Sequence, residues 1–381
     1  FIHRTYIDAQ SVTTTSLPNN IPYNITLTWV EDPRTSQAIS WQSSSPSEGF
    51  VRLARAVPIS RSEATVRQAA VSEVEFSRGK TIYFHYINLS GLSPNTKYYY
   101  SVGDGKQWST QLSFTTAGTD AFQFLVFGDS QSSGNYRTWK NSLKNAVKQN
   151  SQARFFINVG DLIDDGNDLE QWNYWFSAGK GVVDRIPSMP VRGNHDKNKT
   201  NWLNFFKLPV NGPTGARGLT YSFDYGPVHF VALDNIEMQD SSALADQKEW
   251  LTQDLKAANN IWKIVFVHKP FYYNKAERNN NYLKNAYEEI FDNFKVDIVF
   301  NGHDHVVART NKTNGSVYYI TGRSGTKFYN DVNKMSWNKF FYKPVNQPNY
   351  VSVDVSKLRL KITALNQDSS VIDSIEINNE K

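Results

Sequence analysis

The sequence contains no cysteine. This absence excludes disulfide bonds, zinc–thiolate sites, iron–sulfur clusters and cysteine nucleophiles. Any bound metal must therefore be held by histidine, carboxylate, amide or tyrosine side chains. Long apolar runs are also missing: the longest, such as Phe122–Phe127 with its one polar residue, has about six residues, whereas a helix needs ~18 to cross a membrane. No membrane span is expected.

Signatures of several other enzyme classes are missing too. The chain has no Walker A loop, no Gly-x-Ser-x-Gly elbow and no His-Glu-x-x-His sequence. A strong charge bias is absent as well, because 41 Lys and Arg residues oppose 36 Asp and Glu residues, giving a net charge of +5 over 381 residues. So weak a bias permits an anionic substrate but does not indicate a nucleic-acid partner.

The first residue is Phe1 rather than methionine. We interpret the chain as a mature or trimmed product, and the sequence leaves open whether a signal peptide was removed. A chain without cysteine avoids unwanted oxidation outside the cell, so we expect an exported protein, extracellular or at the cell surface, of a bacterium.

The pattern of polar and apolar residues changes twice along the sequence, which predicts three parts. Residues 1–23 are polar and are expected to be extended. Residues 24–117 hold about seven short alternating runs, which favour a β-sandwich. Within them Leu92–Tyr98 resembles a tyrosine corner, in which the Tyr98 hydroxyl bonds to the backbone. Residues 118–381 alternate buried-type strands with amphipathic helices, which indicates an α/β domain.

Hydrophobic periodicity predicts the elements of the third part. Strands are expected at Phe122–Phe127, Phe155–Val159, Met189–Val191, Ile264–Val267, Ile298–Phe300 and Val317–Thr321. Helices are expected around Trp139–Val147, Leu244–Ala258 and Leu283–Phe294. A hairpin is expected at 222–234, and further strands at 349–377.

Five short motifs directly follow predicted strands. They are Gly128-Asp129-Ser130-Gln131, Gly160-Asp161-Leu162-Ile163-Asp164, Gly193-Asn194-His195-Asp196, Val265-Phe266-Val267-His268 and Gly302-His303-Asp304-His305. Because ligand-binding groups collect at the carboxyl ends of strands in open α/β sheets, the five motifs are expected to converge on one crevice. Carboxylates and imidazoles suit a pair of Zn, Mn or Fe ions. Four of the seven histidines lie in these motifs.

The ordered motifs resemble those of the calcineurin-like metallophosphoesterase superfamily. With the preceding sandwich, residues 24–377 resemble the purple acid phosphatase family, whose members carry a fibronectin type III-like domain before the catalytic domain. The resemblance implies an all-β sandwich followed by an α/β catalytic domain, in which a metallophosphoesterase β-sandwich is flanked by helices. It also implies a hydrolase of phosphate esters with two metal ions per chain, divalent or trivalent Fe, Mn or Zn.

The resemblance also implies roles for the motif residues. Asp129, Asp161 and His305 would hold one metal, and Asp161, Asn194, His268 and His303 would hold the other. His195 would bind no metal and would protonate the leaving-group oxygen. The implied reaction is in-line attack on phosphorus by a metal-activated hydroxide. Asp196 either orients His195 or caps the local turn.

Two positions depart from the family pattern. Purple enzymes have a tyrosine ligand where this chain has Asp164, and many superfamily members have a histidine where it has Gln131. Gln131 is therefore a possible extra ligand or hydrogen-bonds to a ligand, and Asp164 either completes the metal shell or faces solvent.

Further residues are weaker candidates. Arg323 follows a predicted strand and could reach a substrate phosphate, while Tyr272, with its neighbours Lys269 and Tyr273, could line the pocket. His229 lies in an apolar strand and is predicted to be a satisfied core histidine.

The leading hypothesis is a phosphomonoesterase of the acid phosphatase type, acting on a phosphate-ester substrate. A phosphodiesterase with the same two-metal site is the alternative. A catalytically dead surface-binding protein is the second alternative, and the intact motifs argue against it.

Overall fold

The structure, a computed structural model, describes residues 21–57, 59, 64–76, 79–119, 121–236, 238, 241–312 and 315–379. The predicted extended segment 1–23 lies outside these residues except for its last three. No helix among the described residues is long and apolar enough to cross a membrane.

The N-terminal part is all β. Its strands are β1 (Tyr23–Thr28), β2 (Gln37–Ser43), β3 (Gly49–Ala54), β4 (Thr65–Phe76), β5 (Lys80–Leu89), β6 (Lys97–Gly103) and β7 (Leu112–Thr115). They join in the order β1-β2-β5-β4-β3-β6-β7. Strand β4 pairs with β3 through residues 65–69 and with β5 through residues 70–76. This change of partner folds the strands into a sandwich around a core that includes Trp41 and Tyr100.

The predicted tyrosine corner is confirmed, because the Tyr98 hydroxyl accepts a hydrogen bond from the backbone N–H of Ser93 at 2.9 Å. Strand β4 had no individual prediction. Most of its side chains are exposed, so it lacks the alternation of apolar and polar residues that marks a half-buried strand.

Two mixed sheets form the rest of the chain. One has the order β19-β18-β17-β8-β9 and consists of β8 (Phe122–Phe127), β9 (Ala153–Asn158), β17 (Asn349–Val355), β18 (Arg359–Asn366) and β19 (Val371–Asn378). The other has the order β10-β11-β12-β13-β15-β14-β16 and consists of β10 (Tyr221–Tyr225), β11 (Val228–Leu233), β12 (Trp262–Val267), β13 (Ile298–Asn301), β14 (Val307–Arg309), β15 (Val317–Thr321) and β16 (Phe340–Tyr342).

Aromatic side chains fill the space between these sheets. Phe124 of β8 stacks on Phe155 of β9, with ring centroids 5.1 Å apart, and meets Phe230 of β11 edge to face at 5.3 Å. Trp29, which follows β1, reaches the same core and lies 5.2 Å from Phe155. Trp29 and a few sandwich residues such as Phe84 therefore belong to the core of the two mixed sheets, while the interior of the sandwich forms a separate apolar core.

Helices pack on the two mixed sheets and against the N-terminal sandwich. They are α1 (Arg137–Gln149), α2 (Leu169–Gly179), α3 (Lys199–Phe205), α4 (Ser241–Ala257) and α5 (Asn281–Asn293), and a short 3₁₀ helix spans Thr214–Ala216. Three of the helices, α1, α4 and α5, were predicted. Helix α2 was not, although Asp168 caps its first turn through the N–H groups of Glu170 and Gln171.

The structure has two isolated bridges instead of the predicted strand at Met189–Val191. Ser188 bridges in parallel to Phe156 of β9, and Val191 bridges in parallel to Val159, which follows β9. The N–H of Ser188 also donates to the carbonyl of Leu27 of β1 at 2.9 Å. The N–H of Leu27 in turn donates to the carbonyl of Val183 at 2.9 Å. We call residues 183–191 the bridging segment, because it joins the N-terminal sandwich to β9 and leads directly into Gly193-Asn194-His195.

Candidate metal centre

The five motifs lie at the ends of strands, as the sequence predicts. Asp129 follows β8, Asp161 follows β9, His268 follows β12, and Gly302–His305 follows β13; Asn194 and His195 follow the bridging segment. Strand pairs β8–β9 and β12–β13 are parallel, so their carboxyl ends deliver these side chains to one edge of the two facing sheets.

The backbone at this edge is strained and tightly packed. Asp129, Asp161, His303 and His305 all have positive φ angles, of 26°, 52°, 72° and 54°, which residues with a β-carbon adopt rarely and mainly at functional sites. A β-carbon added at Gly193 would collide with Asp161. Glycine is therefore required there for the Asn194 loop to approach Asp161.

A first group of potential ligands consists of Asp129, Asp161 and His305. Their ligand atoms lie within 4.8 Å of one another, and all three residues are buried. The Nδ1 of His305 donates to the backbone carbonyl of Lys327 at 2.9 Å, which leaves Nε2 with a lone pair. That Nε2 atom is buried without a hydrogen-bond donor and lies 3.1 Å from Asp129 Oδ1.

A second group consists of Asp161, His268 and His303, with Asn194 beside it. The Nδ1 of His268 donates to the carbonyl of Val159 at 2.8 Å, so its Nε2 is the atom left to hold either a proton or, in the neutral ring, a metal ion. Nε2 lies 3.1 Å from Asn194 Oδ1, 3.3 Å from Asp161 Oδ1 and 3.1 Å from His303 Nδ1.

The electrostatics of the second group favour a cation. Burial lowers the pKa of His268, but the charge of Asp161 outweighs burial and raises this pKa to about 9. Burial raises the pKa of Asp161, but the neighbouring histidines, His268 foremost, hold it well below its usual range. Burial and the charge of His268 keep the pKa of His303 well below its ordinary value, so its ring is neutral.

These contacts test whether the residues fit metal ions. Lone-pair atoms about 3 Å apart attract only through a cation held between them, either a proton or a metal ion. Ligands of one tetrahedral ion with bonds of about 2.0–2.1 Å lie about 3.3 Å apart. The separations of 3.1–3.3 Å around His268 and His305 have this size. Since Asp161 belongs to both groups, the residues fit two ions that share one carboxylate.

His195 lies beside both groups but belongs to neither. Its backbone N–H donates to Asp161 Oδ1 at 2.8 Å, and its side chain is 26% exposed. The ring Nδ1 donates to the carbonyl of Asp164 at 2.7 Å, and Nε2 lies 3.0 Å from Lys327 Nζ. The imidazole is therefore held at the solvent side of the potential ligands.

The structure decides between the two interpretations of Asp196. Its carboxylate is buried and accepts hydrogen bonds from the N–H groups of Gly193 at 2.7 Å and Leu162 at 2.9 Å. It thus caps and joins the turns that carry Asn194 and Asp161. The group that orients the His195 ring is instead the backbone carbonyl of Asp164.

Gln131 and Asp164 have different surroundings. Gln131 is buried, and its Nε2 donates to Asp161 Oδ2 at 3.1 Å, while its Oε1 has no hydrogen-bond partner in the described structure. The side chain of Asp164 is 58% exposed, and its Oδ1 lies 3.2 Å from Lys327 Nζ. Gln131 thus contacts a potential ligand directly, whereas Asp164 faces solvent beside His195.

Two predicted substrate contacts need correction. The Arg323 guanidinium is buried and donates to the backbone carbonyls of Pro344, Gly325 and Val345. It therefore holds loops together and does not face the site. The Tyr272 hydroxyl donates to Glu288 of α5 at 2.6 Å, so it too is engaged away from the potential ligands.

Two residues that the sequence analysis did not select contact the site. Lys327 contacts both His195 and Asp164. Arg278 donates to Asp304 Oδ1 at 3.2 Å and to the carbonyl of His303 at 3.1 Å, and so fixes the loop that carries two potential ligands. Lys327 lies in the loop after β15, six residues beyond the end of the strand, so its position in the sequence does not mark it as the motifs are marked.

Comparisons with known proteins identify the family of this chain. The family model of the purple acid phosphatase N-terminal domain matches residues 22–116, and that of calcineurin-like phosphoesterases matches residues 122–307. The chain is 27% identical to purple acid phosphatase 15 of Arabidopsis thaliana over 287 residues, 64% of this chain and 54% of the relative. The chain is a purple acid phosphatase-like member of the calcineurin-like phosphoesterase superfamily.

Other relatives give the same family. The Fe(3+)-Zn(2+) purple acid phosphatase 12 of Arabidopsis thaliana is 25% identical, over 66% of this chain and 58% of its own length. This purple acid phosphatase-like chain thus spans little more than half of these two relatives. The solved structure of purple acid phosphatase PPD1 from yellow lupin (Lupinus luteus) seeds shares the fold, with a TM-score of 0.76 at 17% identity over 94% of this chain and 74% of that one.

Proposed function

We propose that this purple acid phosphatase-like chain is a dinuclear metal-dependent phosphatase of the acid phosphatase type. It hydrolyses phosphate monoesters. One observation carries the proposal: two groups of buried ligand atoms share Asp161, and the imidazole of His195 is held immediately beside them. A structural metal site would not need this partly exposed ring at its rim.

The ligand set follows from the two groups. Asp129, Asp161 and His305 hold one metal, and Asp161, Asn194, His268 and His303 hold the other. Bound metal ions of Fe, Mn or Zn lower the pKa of water and stabilise negative charge on phosphate oxygens. The relative whose name states Fe(3+)-Zn(2+) supports a mixed pair. Asp164 replaces the family tyrosine, so we do not expect the purple colour.

His195 supplies the proton for the departing alcohol. Its Nδ1 is occupied by the carbonyl of Asp164, so Nε2, which lies 3.0 Å from Lys327 Nζ, is the nitrogen left to exchange a proton with a substrate oxygen when that oxygen takes over the contact with the ammonium. The bond from the His195 N–H to Asp161 fixes the ring relative to the shared ligand. General acid catalysis of this kind contributes about 10²–10⁴-fold.

The domain bounds and the location of the protein are also proposals. We propose an extended segment at 1–23, a fibronectin type III-like domain at 24–117 and a catalytic domain at 118–381. The bounds of β1 to β7 and the two family matches support this division. We further propose that the protein is exported by a bacterium, because it lacks cysteine.

Metal analysis paired with two substrates tests the proposed activity. The purified chain, loaded with Fe, Mn or Zn, should bind close to two ions. It should hydrolyse p-nitrophenyl phosphate faster than bis(p-nitrophenyl) phosphate. A protein that binds two ions but prefers the diester would be the phosphodiesterase alternative. A protein that cleaves neither ester with any of these metals would contradict the enzyme proposal.

A further inference from the structure

We propose that Lys327 binds an unesterified oxygen of the substrate phosphate and thereby makes the site selective for monoesters over diesters. This inference rests on the proposed phosphatase function and deepens it. It assigns substrate selectivity to a residue outside both groups of potential ligands and outside the five sequence motifs.

The Lys327 ammonium is held at the rim of the site by two contacts. Its Nζ lies 3.0 Å from His195 Nε2 and 3.2 Å from Asp164 Oδ1. An ammonium group has three N–H donors. The third has no partner among the residues that the structure describes, so it is available to an incoming oxygen.

The main chain around Lys327 is fixed to the potential ligands. Its carbonyl accepts from Nδ1 of His305, and the preceding residues Gly325 and Thr326 donate to the carbonyls of Asp129 and Gln131 at 3.0 and 2.9 Å. This loop therefore keeps a constant position relative to both groups. An ammonium on such a loop is preorganised, so it needs little rearrangement to meet a substrate.

Lys327 is also accessible to a small molecule. Its side chain is 31% exposed and lines a cavity of about 470 Å³ together with Gln131, Tyr136, Asp164 and Tyr174. Three carboxylates, Asp164, Asp168 and Glu170, also line this cavity. Lys327 is the one cation among its described lining residues, so a phosphate ester has a single positively charged side chain to meet there.

The selectivity follows from counting oxygens and charges. A phosphate monoester dianion has three unesterified oxygens, whereas a diester monoanion has two. In a diester, one oxygen that could accept from Lys327 carries a second organic group and one negative charge is lost. The ammonium therefore stabilises a bound monoester more than a bound diester, because charge-assisted hydrogen bonds are the stronger ones.

A purely structural ion pair with Asp164 would have a different effect. The Asp164 carboxylate is mostly exposed, and ion pairs between exposed groups contribute little to stability. If pairing with Asp164 or support of His195 were the whole role of Lys327, its loss would slow both ester classes by the same factor. The ratio of the two rates therefore separates the two roles.

The test compares Lys327→Met with Lys327→Arg and with Lys197→Met. Lys197 is a matched control, because it pairs with the neighbouring Asp165 at 3.4 Å on the exposed surface. We expect Lys327→Met to lower kcat/KM for p-nitrophenyl phosphate about 10- to 100-fold more than for bis(p-nitrophenyl) phosphate. Lys327→Arg should retain most of the monoester preference, and Lys197→Met should retain the wild-type ratio.

Calorimetric titration gives a readout without turnover. Orthophosphate should bind the metal-loaded Lys327→Met variant about 10-fold or more weakly than wild type, while dimethyl phosphate should bind both alike, at unchanged metal content. An equal loss for both esters, or equal orthophosphate affinity, would overturn the role of Lys327 and leave the phosphatase proposal intact. A wild-type chain that cleaves neither ester would contradict the phosphatase proposal instead, and the orthophosphate titration would still decide whether Lys327 binds phosphate.

Discussion

His229 and His305 both lie beside aspartates in the interior, yet their ring nitrogens are used differently. Both nitrogens of His229 face carboxylates, with Nδ1 2.7 Å from Asp224 Oδ1 and Nε2 2.8 Å from Asp254 Oδ2. In His305 only Nε2 faces a carboxylate, because Nδ1 donates to a backbone carbonyl. The same residue types thus form two kinds of site.

The difference shows how an ion pair can be told from a metal ligand. A ring between two carboxylates carries both hydrogens. Burial opposes its charge, but Asp224 and Asp254 outweigh burial and raise the pKa of His229 to about 9. Such a ring has no lone pair for a metal, and the prediction of a satisfied core histidine is confirmed. A ring with one nitrogen committed to a carbonyl offers a lone pair at the other.

The largest effect should come from removing a lone-pair ligand. His305→Ala should lose the metal held with Asp129. His268→Ala should weaken binding of the metal held with Asn194 and His303 more than binding of the metal held with Asp129. Because a bound metal contributes several kcal/mol of transition-state stabilisation, we expect activity to fall at least about 10³-fold in each variant. Metal content by mass spectrometry and kcat/KM on p-nitrophenyl phosphate measure both effects.

His229→Asn is the matched control for these two variants, and it should keep both metals. The distinction between an ion-paired histidine and a metal-ligating one would be contradicted if His229→Asn loses a metal ion, or if His305→Ala keeps both metal ions.

His195 represents a third kind of ring, with one nitrogen on a carbonyl and the other facing a lysine. His195→Ala should keep both metals and lose about 10²–10⁴-fold in activity. The loss should be greatest for alkyl phosphates, because an acidic phenol departs with little help from a proton. Rates on a series of aryl and alkyl esters measure this dependence. Equal losses across the series would show that His195 does not protonate the leaving group.

The charged ring of His229 should make stability depend on pH. Its folded pKa of about 9 lies above the ordinary value of 6.5. Its contribution is therefore complete below about pH 6.5 and is lost as the pH rises through about 9, a change of roughly 3 kcal/mol at most.

Urea unfolding of the metal-free chain between pH 6 and 10 measures this slope. His229→Asn should remove about half of it relative to wild type, because His268, whose pKa is also raised to about 9, contributes to the same slope in the metal-free chain. A slope that is the same in both proteins would mean that His229 is not charged in the folded state.

The smallest effect should come from Gln131, which donates to the shared ligand Asp161. Hydrogen bonds to metal ligands are worth about 10- to 100-fold in metal affinity. Gln131→Ala should weaken metal binding within that range, as measured by competition with a chelator. Gln123→Ala, which removes a bond to Asp354 at the sheet surface, is the control. Unchanged affinity in Gln131→Ala would leave this hydrogen bond without a role in metal binding.

Much of the fold was predictable because apolar periodicity is local. Strands such as β8 and β15 were predicted with their observed bounds, since their side chains are buried on both faces. Within the bridging segment, apolar residues predict a strand at Met189–Val191 that the structure does not form. The segment's backbone bonds to β1 and β9 depend on distant residues, which periodicity cannot reveal.

The site was predictable to the level of the motifs and no further. The motifs gave the potential ligands, whose assignment to two metals stays a prediction. They did not reveal which of the two cationic side chains after β15, Arg323 or Lys327, faces the crevice. Gly322 has a φ of 85° and turns the chain, so that Arg323 is enclosed by carbonyls and Lys327 reaches His195. The roles of Asp164 and Asp196 likewise depended on which carboxylate the turns bury.

The bridging segment has a consequence for how such proteins can be recombined. Strand β1 bonds to it at Val183 and Ser188, and the Tyr100 hydroxyl donates to Asp184 at 2.7 Å. The loop of Asn194 and His195 emerges from its far end. The N-terminal sandwich is therefore not an interchangeable module: a chimera that imports a foreign sandwich must import the matching residues 183–191 with it, or it will misplace the loop on which chemistry depends.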